Sequence, residues 1–248
     1  MDIQGKKVIV TGGVRGLGRA MVEKLLASGA AVTVFDVDAT GLDQLSKQSG
    51  VNCVGCDVSD YEQVNQATNR YHEDFGAADV LINNAGILYS EPLIKITAAG
   101  VRKHDVEMWN KVLAADLSSV FFMTSCVVEK MISARAKGVI VNIGSVSAAG
   151  NPGASAYSAA KAGVHALTAA WARELSQLGI RVVAVAPGFI ATESTKAAMS
   201  QAALNDTVKR VPLRRLGTPE EIAEGVLSVL QNDFFNGKVF ELDGGLVL

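Results

Sequence analysis

The chain has 248 residues, of which 49% are hydrophobic, and its formal net charge is −2 at neutral pH. This length fits one large α/β domain or two small ones, and either would bury a substantial core. The 23 basic residues are spread along the chain without a basic block, which argues against a nucleic-acid partner. No apolar run approaches the roughly 20 residues needed to span a bilayer, and no signal peptide is visible. We therefore expect neither a nucleic-acid nor a membrane partner.

The cysteine and histidine pattern predicts no metal site. Cys53 and Cys56 have the C-x-x-C spacing, but no second Cys/His pair lies nearby to complete a zinc site. His72, His104 and His165 are dispersed without ligand spacing, and we interpret them as surface or packing residues. An odd number of cysteines argues against a disulfide framework. Reduced thiols then indicate a cytoplasmic or organelle-matrix location, with cytoplasmic as the expectation.

Short β-branched runs alternate with long helical patterns along the chain. This alternation predicts a Rossmann-type, doubly wound α/β fold with a seven-stranded parallel sheet and helices on both faces. The strands are near-continuous apolar runs, as expected when both sheet faces are covered. No linker divides the chain, so residues 1–248 are predicted to form a single domain. The predicted strands are Lys7–Thr11, Ala31–Phe35, Asn52–Cys56, Val80–Asn83, Val139–Ile143, Arg181–Ala186 and Lys238–Leu242, and the predicted helices are Leu17–Ser28, Tyr61–Phe75, Val106–Ala134, Tyr157–Leu178 and Pro219–Gln231.

The first strand runs directly into a glycine-rich turn that is followed by a helix. Glycines there allow a tight turn and a close approach of the backbone to a pyrophosphate, which then meets the helix N-terminus. Because the turn lies at the first strand–helix junction, it favours a dinucleotide site. The turn is Thr11-Gly12-Gly13-Val14-Arg15-Gly16-Leu17-Gly18, and Gly12, Arg15, Gly16, Leu17 and Gly18 are the expected cofactor contacts.

Two acidic residues at strand ends are predicted to bind the adenosine part of the cofactor. Asp36 can accept hydrogen bonds from both ribose hydroxyls and repel a 2′-phosphate, because like charges about 4 Å apart interact by roughly 4 kcal/mol at an effective dielectric near 20. We therefore expect NAD, although Arg15 could reach a 2′-phosphate if it is not simply a solvated cation. Asp57, followed by Val58, either binds the adenine amino group or caps a helix that begins near Ser59.

A set of motifs occurs in the order and approximate spacing of the short-chain dehydrogenases/reductases, and the chain resembles this family over essentially its whole length. The motifs are Thr11–Gly18, Asn83-Asn84-Ala85-Gly86, Ser145, Tyr157-x-x-x-Lys161 and Pro187-Gly188, with Asp243-Gly244-Gly245 near the end. The resemblance implies that further residues contact the cofactor, namely Val58, Asn84, Ala85, Gly86, Tyr157, Lys161, Pro187, Gly188, Ile190 and Thr192.

Tyr157 and Lys161 are four residues apart and therefore share one helix face. A tyrosine side chain in water has a pKa of about 10 and is a poor base near neutral pH. The Lys161 ammonium and the positive ring of an oxidised nicotinamide would stabilise the phenolate. Tyr157 would then take the alcohol proton as hydride leaves for the nicotinamide, and it would return the proton in the opposite direction. Ser145 can hydrogen-bond the substrate oxygen, so we expect an alcohol–ketone oxidoreductase.

The sequence departs from the family at two places. The family usually has an asparagine in the segment that matches Ala114–Leu117, where it helps to hold a water in the proton relay, and this chain has Asp116. A carboxylate can accept hydrogen bonds and pair with Lys161, but it cannot donate through an amide, so we expect an altered relay and a shifted pH optimum. The interval from Ser145 to Tyr157 is one residue shorter than usual, and the loop at residues 150–153 can absorb the deletion.

Two long connections follow strands at the edge where open α/β sheets bind ligands. Ile87–His104 contains an insertion, and Phe189–Arg215 is interpreted as a substrate lid with Phe189, Ile190, Met199 and Leu204 as its apolar lining. The insertion and the tail Asn232–Gly237 resemble the type II 3-hydroxyacyl-CoA dehydrogenase branch, which implies a 3-hydroxyacyl-CoA or similar substrate. One alternative is an NADPH-dependent 3-oxoacyl carrier-protein reductase, and another is a non-catalytic nucleotide-sensing regulator.

The predicted helices Val106–Ala134 and Tyr157–Leu178 are apolar around much of their circumference. Such a helix needs a partner in addition to the sheet. The apolar C-terminus, Leu246–Leu248, suggests the same. We therefore expect a symmetric homo-oligomer, which the family resemblance implies is a homotetramer.

Overall fold

A computed structural model describes residues 1–48, 50–198 and 200–246. The described residues form nine strands and nine α-helices. The strands are β1 (Lys7–Thr11), β2 (Ala31–Asp36), β3 (Val51–Gly55), β4 (Val80–Asn83), β5 (Ile94–Thr97), β6 (Gly100–Lys103), β7 (Gly138–Ile143), β8 (Ile180–Pro187) and β9 (Val239–Leu242). The helices are α1 (Gly16–Ala27), α2 (Ala39–Ser46), α3 (Tyr61–Phe75), α4 (Val106–Leu113), α5 (Ser119–Ser133), α6 (Ser155–Leu175), α7 (Glu193–Ala198), α8 (Gln201–Arg210) and α9 (Pro219–Gln231).

Seven of these strands form one parallel sheet in the order β3-β2-β1-β4-β7-β8-β9. Alternate residues of each strand enter opposite cores: Val8 and Val10 pack with α1, α2 and α9, whereas Ile9 packs with α3, α5 and α6. The predicted doubly wound α/β fold is therefore confirmed. Strand order reverses between β1 and β4, and at such a point the loops on the carboxyl side of the sheet diverge and leave a crevice for a ligand.

The bounds of all seven predicted sheet strands agree with the structure to within one residue. Three features escaped the prediction: helix α2, the antiparallel hairpin β5–β6 inside the first long connection, and helices α7 and α8 inside the second. The predicted helix Tyr157–Leu178 is α6 followed by a 3₁₀ turn at Ser176–Leu178.

The predicted helix Val106–Ala134 is divided into three parts: α4, a π-helical turn at Ala114–Ser118, and α5. Contrary to the expectation from apolar runs, the continuous segment Val106–Ser133 is long and apolar enough, by length and composition, to cross a membrane. Half of its most apolar window is buried inside the protein, because α5 packs against α3, β4 and β7. This burial is typical of a core helix in a globular protein.

The C-x-x-C pair does not act as one unit in the fold. Cys53 packs with the core on one face of the sheet, and Cys56 is buried in the core on the other. Burial raises the pKa of the Cys56 thiol to about 11, with smaller contributions from Asp57 and Asp60. Both side chains are therefore packing residues, as predicted.

Candidate active site

The glycine turn between β1 and α1 forms a backbone surface without side chains at the carboxyl edge of the sheet. Gly12 and Gly16 have φ values of 66° and 55°, in the left-handed region that favours glycine. A Cβ at Gly12 would lie 2.9 Å from Ala85 Cα, and one at Gly18 would lie 2.0 Å from the Gly12 carbonyl oxygen. A Cβ at Gly16 would meet nothing within 4 Å, so this side of the turn faces open space. Open backbone at a helix N-terminus fits the pyrophosphate of a dinucleotide.

Two polar side chains fix this turn against the end of β4. Asn84 Nδ2 donates to the carbonyl oxygens of Thr11 and Gly12, at 2.9 Å each. Thr11 Oγ1 accepts hydrogen bonds from Asn84 N at 2.9 Å and Ala85 N at 3.0 Å. The Asn84 amide therefore braces the glycine turn, a structural role that the sequence did not predict.

Asp36 lies at the end of β2, directly beside the glycine turn. Its Oδ2 accepts a hydrogen bond from Val14 N at 3.2 Å, and its Oδ1 accepts one from Asp38 N at 3.0 Å. The carboxylate is therefore held in a fixed orientation. Arg15 is the N-cap residue of α1, where its exposed side chain makes no capping hydrogen bond. Leu17 is half-buried and packs against the core beneath the turn.

Asp57 and Val58 follow β3 and differ from each other in exposure. Asp57 is exposed, and its Oδ1 accepts hydrogen bonds from the backbone N and the hydroxyl of Ser59, at 2.9 and 2.7 Å. The alternative that Asp57 caps the next helix is wrong, because Asp60 is the N-cap of α3. Val58 is buried in the core, so that only its backbone is available to a ligand.

Ser145, Tyr157 and Lys161 lie around the carboxyl end of β7. Lys161 Nζ donates to the Ile143 carbonyl oxygen at 3.0 Å and lies 5.6 Å from the centroid of the Tyr157 ring. Ser145 is 7% exposed, and its Oγ accepts a hydrogen bond from Ser147 N at 3.1 Å. A backbone carbonyl thus orients the lysine, which sequence reasoning could not foresee.

In the shortened loop between Ser145 and Tyr157, only glycines have the positive φ values that would strain a residue with a side chain. Gly150 and Gly153 occupy its two positions of positive φ, at 102° and 82°. Ser158 Oγ accepts a hydrogen bond from Asn151 N at 3.1 Å, and Ser90 Oγ donates to the Gly153 carbonyl oxygen at 2.8 Å. The loop therefore absorbs the missing residue, as predicted.

Asp116 lies in the π-helical turn and is 1% exposed. Its Oδ1 accepts a hydrogen bond from Ile87 N at 2.8 Å, and its Oδ2 is 3.5 Å from Lys161 Nζ. A Cβ at Gly86 would lie 2.8 Å from Oδ2, so a side chain at this position would displace the Asp116 carboxylate. Burial raises the pKa of Asp116 above its ordinary value, while the charge of Lys161 and the Ile87 N–H oppose this rise. The predicted pairing of Asp116 with Lys161 is confirmed.

His165 continues the face of α6 that carries Tyr157 and Lys161. A Cβ at Gly144 would lie 2.3 Å from His165 Nε2, so the imidazole packs directly on the backbone next to Ser145. Burial, together with the charge of Lys161, lowers the pKa of His165, and the ring is neutral near neutral pH. His165 is a packing residue, as predicted, but its closeness to Lys161 was not foreseen.

The segment interpreted as a lid leaves the sheet at Pro187, which is buried. Gly188 packs tightly, since a Cβ there would lie 2.7 Å from Asp243 Cα. Contrary to the prediction, the Ile190 side chain does not line a flap. It is 5% exposed and packs in the main core, where a backbone bridge between Ile190 and Gly217 holds it. Thr192 Oγ1 accepts a hydrogen bond from Thr195 N at 3.1 Å at the start of α7. Met199 lies outside the described residues.

The fold and this arrangement define a class of protein. The family model described as short chain dehydrogenase matches residues 6–203, and the chain belongs to this family. It is therefore an oxidoreductase that uses a nicotinamide cofactor.

Relatives of known name share the whole length of the chain. The 3-oxoacyl-[acyl-carrier-protein] reductase of Thermotoga maritima is 36% identical, with 100% of both chains covered. The enzyme of the same name from Escherichia coli is 35% identical, again over 100% of both chains. Among solved structures, a putative gluconate dehydrogenase from Agrobacterium tumefaciens is similar, with a TM-score of 0.89 and 30% identity over 100% of this chain and 98% of the other. The names of the sequence relatives favour the reductase alternative over the type II 3-hydroxyacyl-CoA dehydrogenase branch.

Proposed function

We propose that the protein reduces the ketone of a 3-oxoacyl thioester to a secondary alcohol, with Tyr157 as the proton donor. The observation that carries this proposal is the position of the Lys161 ammonium, 5.6 Å from the Tyr157 ring, at the same sheet edge as the glycine turn. In this role the nicotinamide supplies hydride to the carbonyl carbon when it is bound. The phenol proton goes to the carbonyl oxygen, so the product is the hydroxyl compound.

Ser145 and Lys161 have separate tasks in this step. Ser145 Oγ accepts a hydrogen bond from Ser147 N, so its own hydrogen is available to the substrate oxygen. A second donor at that oxygen would orient the ketone and stabilise the charge that develops as the carbonyl is reduced. Lys161 is anchored by the Ile143 carbonyl and stabilises the phenolate that remains after proton transfer.

We propose NAD(H) as the cofactor. The support is Asp36, whose carboxylate is fixed by Val14 N and Asp38 N beside the glycine turn. A carboxylate in this orientation can accept the ribose hydroxyls, and it would repel a 2′-phosphate. Among the described residues, the exposed Arg15 makes no ion pair with Asp36 that would cancel this charge.

The second candidate is an NADPH-dependent 3-oxoacyl carrier-protein reductase. The names of the relatives favour it for the substrate, and the exposed Arg15 favours it for the cofactor. Both candidates share the chemistry at Tyr157 and differ in the cofactor and in the carrier of the acyl group.

A matched set of four assays separates the two candidates. Acetoacetyl-CoA and acetoacetyl-[acyl-carrier protein] are each reduced with NADH and with NADPH, and initial rates are followed by loss of nicotinamide absorbance. We expect turnover with NADH and a thioester. Higher kcat/KM with NADPH on the carrier protein would establish the second candidate, and no turnover in any assay would contradict both.

We also propose that the protein is a homotetramer in the cytoplasm. An open apolar groove of about 500 Å³ lies between α5 and α6, with Leu117, Phe121, Phe122 and Leu167 among its lining residues. Phe121 is 50% exposed there, and burial against a second copy of the chain would remove this apolar surface from water.

The cysteines within the described ranges are free thiols, which suits a reducing compartment. Of the apolar C-terminus, Val247 and Leu248 lie outside the described residues.

Replacing Phe121 by glutamate is expected to break this assembly, because the charge would have to be buried in an apolar interface. Light scattering should give the mass of four chains for the native protein and a smaller mass for Phe121→Glu. The control is Phe75→Glu on α3, where the side chain is similarly exposed at 42%. A monomeric native protein would contradict the proposal.

A further inference from the structure

The buried carboxylate of Asp116 faces Lys161, the lysine next to the proposed proton donor Tyr157. Asp116 Oδ2 lies 3.5 Å from Lys161 Nζ, and the side-chain exposures of the two residues are 1% and 5%. Apart from this ion pair, Oδ2 has no hydrogen-bond partner among the described residues. The other oxygen is fixed by Ile87 N. The carboxylate is thus directed at the ammonium and is shielded from water.

The charge of Lys161 alone would favour the ionised form of Tyr157. Burial raises the pKa of Asp116, and the Lys161 charge and the Ile87 N–H oppose that rise by favouring the ionised carboxylate. In its ionised form, Asp116 at 3.5 Å turns this isolated ammonium into a neutral pair. A neutral pair acts on a neighbour as a dipole, and its field falls off faster with distance than that of a single charge. In a site from which water is excluded, this difference is large because screening is weak.

We propose that Asp116 holds Tyr157 in its protonated, proton-donating form and thereby extends ketone reduction to higher pH. This inference rests on the proposed function, because it concerns the proton donor of the same reaction. Reduction requires the phenol and alcohol oxidation requires the phenolate. A residue that offsets the Lys161 charge therefore favours reduction over a wider range of pH.

The groups packed around the pair are compatible with this role. Tyr157 and His165 lie on α6 with Lys161, and burial keeps His165 neutral near neutral pH. The loop after β4 contributes the Ile87 N–H, and β7 contributes the Ile143 carbonyl. None of these contacts supplies a second full charge to the pair.

The direct test is an ultraviolet titration of tyrosinate in the protein without substrate or cofactor. For each protein, the spectrum of the same protein with Tyr157→Phe added is subtracted. This subtraction removes the signals of Tyr61, Tyr71 and Tyr89. We expect Tyr157 to ionise at a pH about one unit lower in Asp116→Asn than in the native protein. An equal or higher ionisation midpoint would overturn the inference.

The matched control is Asp79→Asn, which removes a carboxylate of similar bonding at the other edge of the sheet. Asp79 accepts a hydrogen bond from Lys7 N at 2.9 Å and pairs with Lys6 Nζ at 3.1 Å. It should leave the Tyr157 midpoint unchanged. If Asp116→Asn does not fold, Asp116→Ser removes the same charge and should give the same shift.

The pH dependence of the rates provides the second readout. We expect the alkaline limit of ketone reduction to lie about one pH unit lower in Asp116→Asn than in the native protein. A shifted titration without turnover of any thioester would mean that the proposed substrate class is wrong while the inference on Asp116 stands. Turnover with no shift in the titration or in the alkaline limit of reduction would overturn the inference and leave the proposed function intact.

Discussion

Tyr157→Phe is expected to lower kcat for ketone reduction by about 10³-fold, because it removes the only group proposed to deliver a proton to the carbonyl oxygen. Positioned general acids contribute typically 10²–10⁴-fold. The ring packs with Val112, Ala156 and Ala160, and a phenyl ring preserves this contact. The loss should therefore appear in kcat, with KM for the cofactor nearly unchanged. Steady-state kinetics with purified variants measures both quantities.

Tyr89→Phe is the matched control for this prediction. Tyr89 packs in the same small cluster, and its hydroxyl hydrogen-bonds Glu91 Oε2 at 2.9 Å. Tyr89→Phe also removes a phenolic hydroxyl, but this hydroxyl has no proposed role in the chemistry. The kcat of this variant should therefore stay within a fewfold of the native value. Equal losses in both variants would indicate a structural effect and contradict the assignment of Tyr157.

Asp36→Ala is expected to abolish a preference for NADH over NADPH that exceeds tenfold in the native protein. The carboxylate would lie beside the 2′-phosphate of NADP, and even half of roughly 4 kcal/mol of repulsion gives more than tenfold discrimination. Removal of the charge should raise kcat/KM for NADPH and lower it for NADH, which loses its ribose acceptor. The ratio of the two kcat/KM values is the measurement.

Asp57→Ala provides the comparison, because Asp57 is an exposed carboxylate at the end of the next strand. Its proposed contact is with adenine, which both cofactors share. The variant should therefore weaken both cofactors equally and leave their ratio unchanged. A native protein that prefers NADPH would contradict the Asp36 argument and support the second candidate function.

The sheet could be predicted from the sequence because buried parallel strands are apolar on both faces and end at glycine or polar residues. The hairpin β5–β6 could not, since its strands have only four residues each and Ile96 and Val101 are largely exposed. Helices α7 and α8 escaped for a related reason: α7 has only six residues, and α8 buries only Thr207, so both leave a weak periodic pattern. The length of an element and the number of side chains it buries together determine whether the hydrophobic pattern of the sequence predicts it.

In the site, residues with a motif or a fixed helix spacing were predictable, and contacts between distant segments were not. Tyr157 and Lys161 follow from their spacing, and the ion pair of Lys161 with Asp116 follows from charge. The Thr11–Asn84 brace joins residues 73 positions apart, and no local pattern encodes it. The alternative that Asp57 caps a helix failed because the side chain of Asp60 caps α3 instead. The prediction of Ile190 as a flap residue failed because its backbone bridge with Gly217 holds it in the core.

The most direct test of the central claim is transfer of deuterium from NADH that carries two deuterium atoms at C4. The labelled cofactor is incubated with the protein and acetoacetyl-CoA, and the product is analysed by mass spectrometry. Hydride transfer to the ketone predicts a 3-hydroxybutyryl thioester with one deuterium at C3, formed by the native protein and about 10³-fold more slowly by Tyr157→Phe. A product without deuterium at C3, or one formed equally by Tyr157→Phe, would contradict the account.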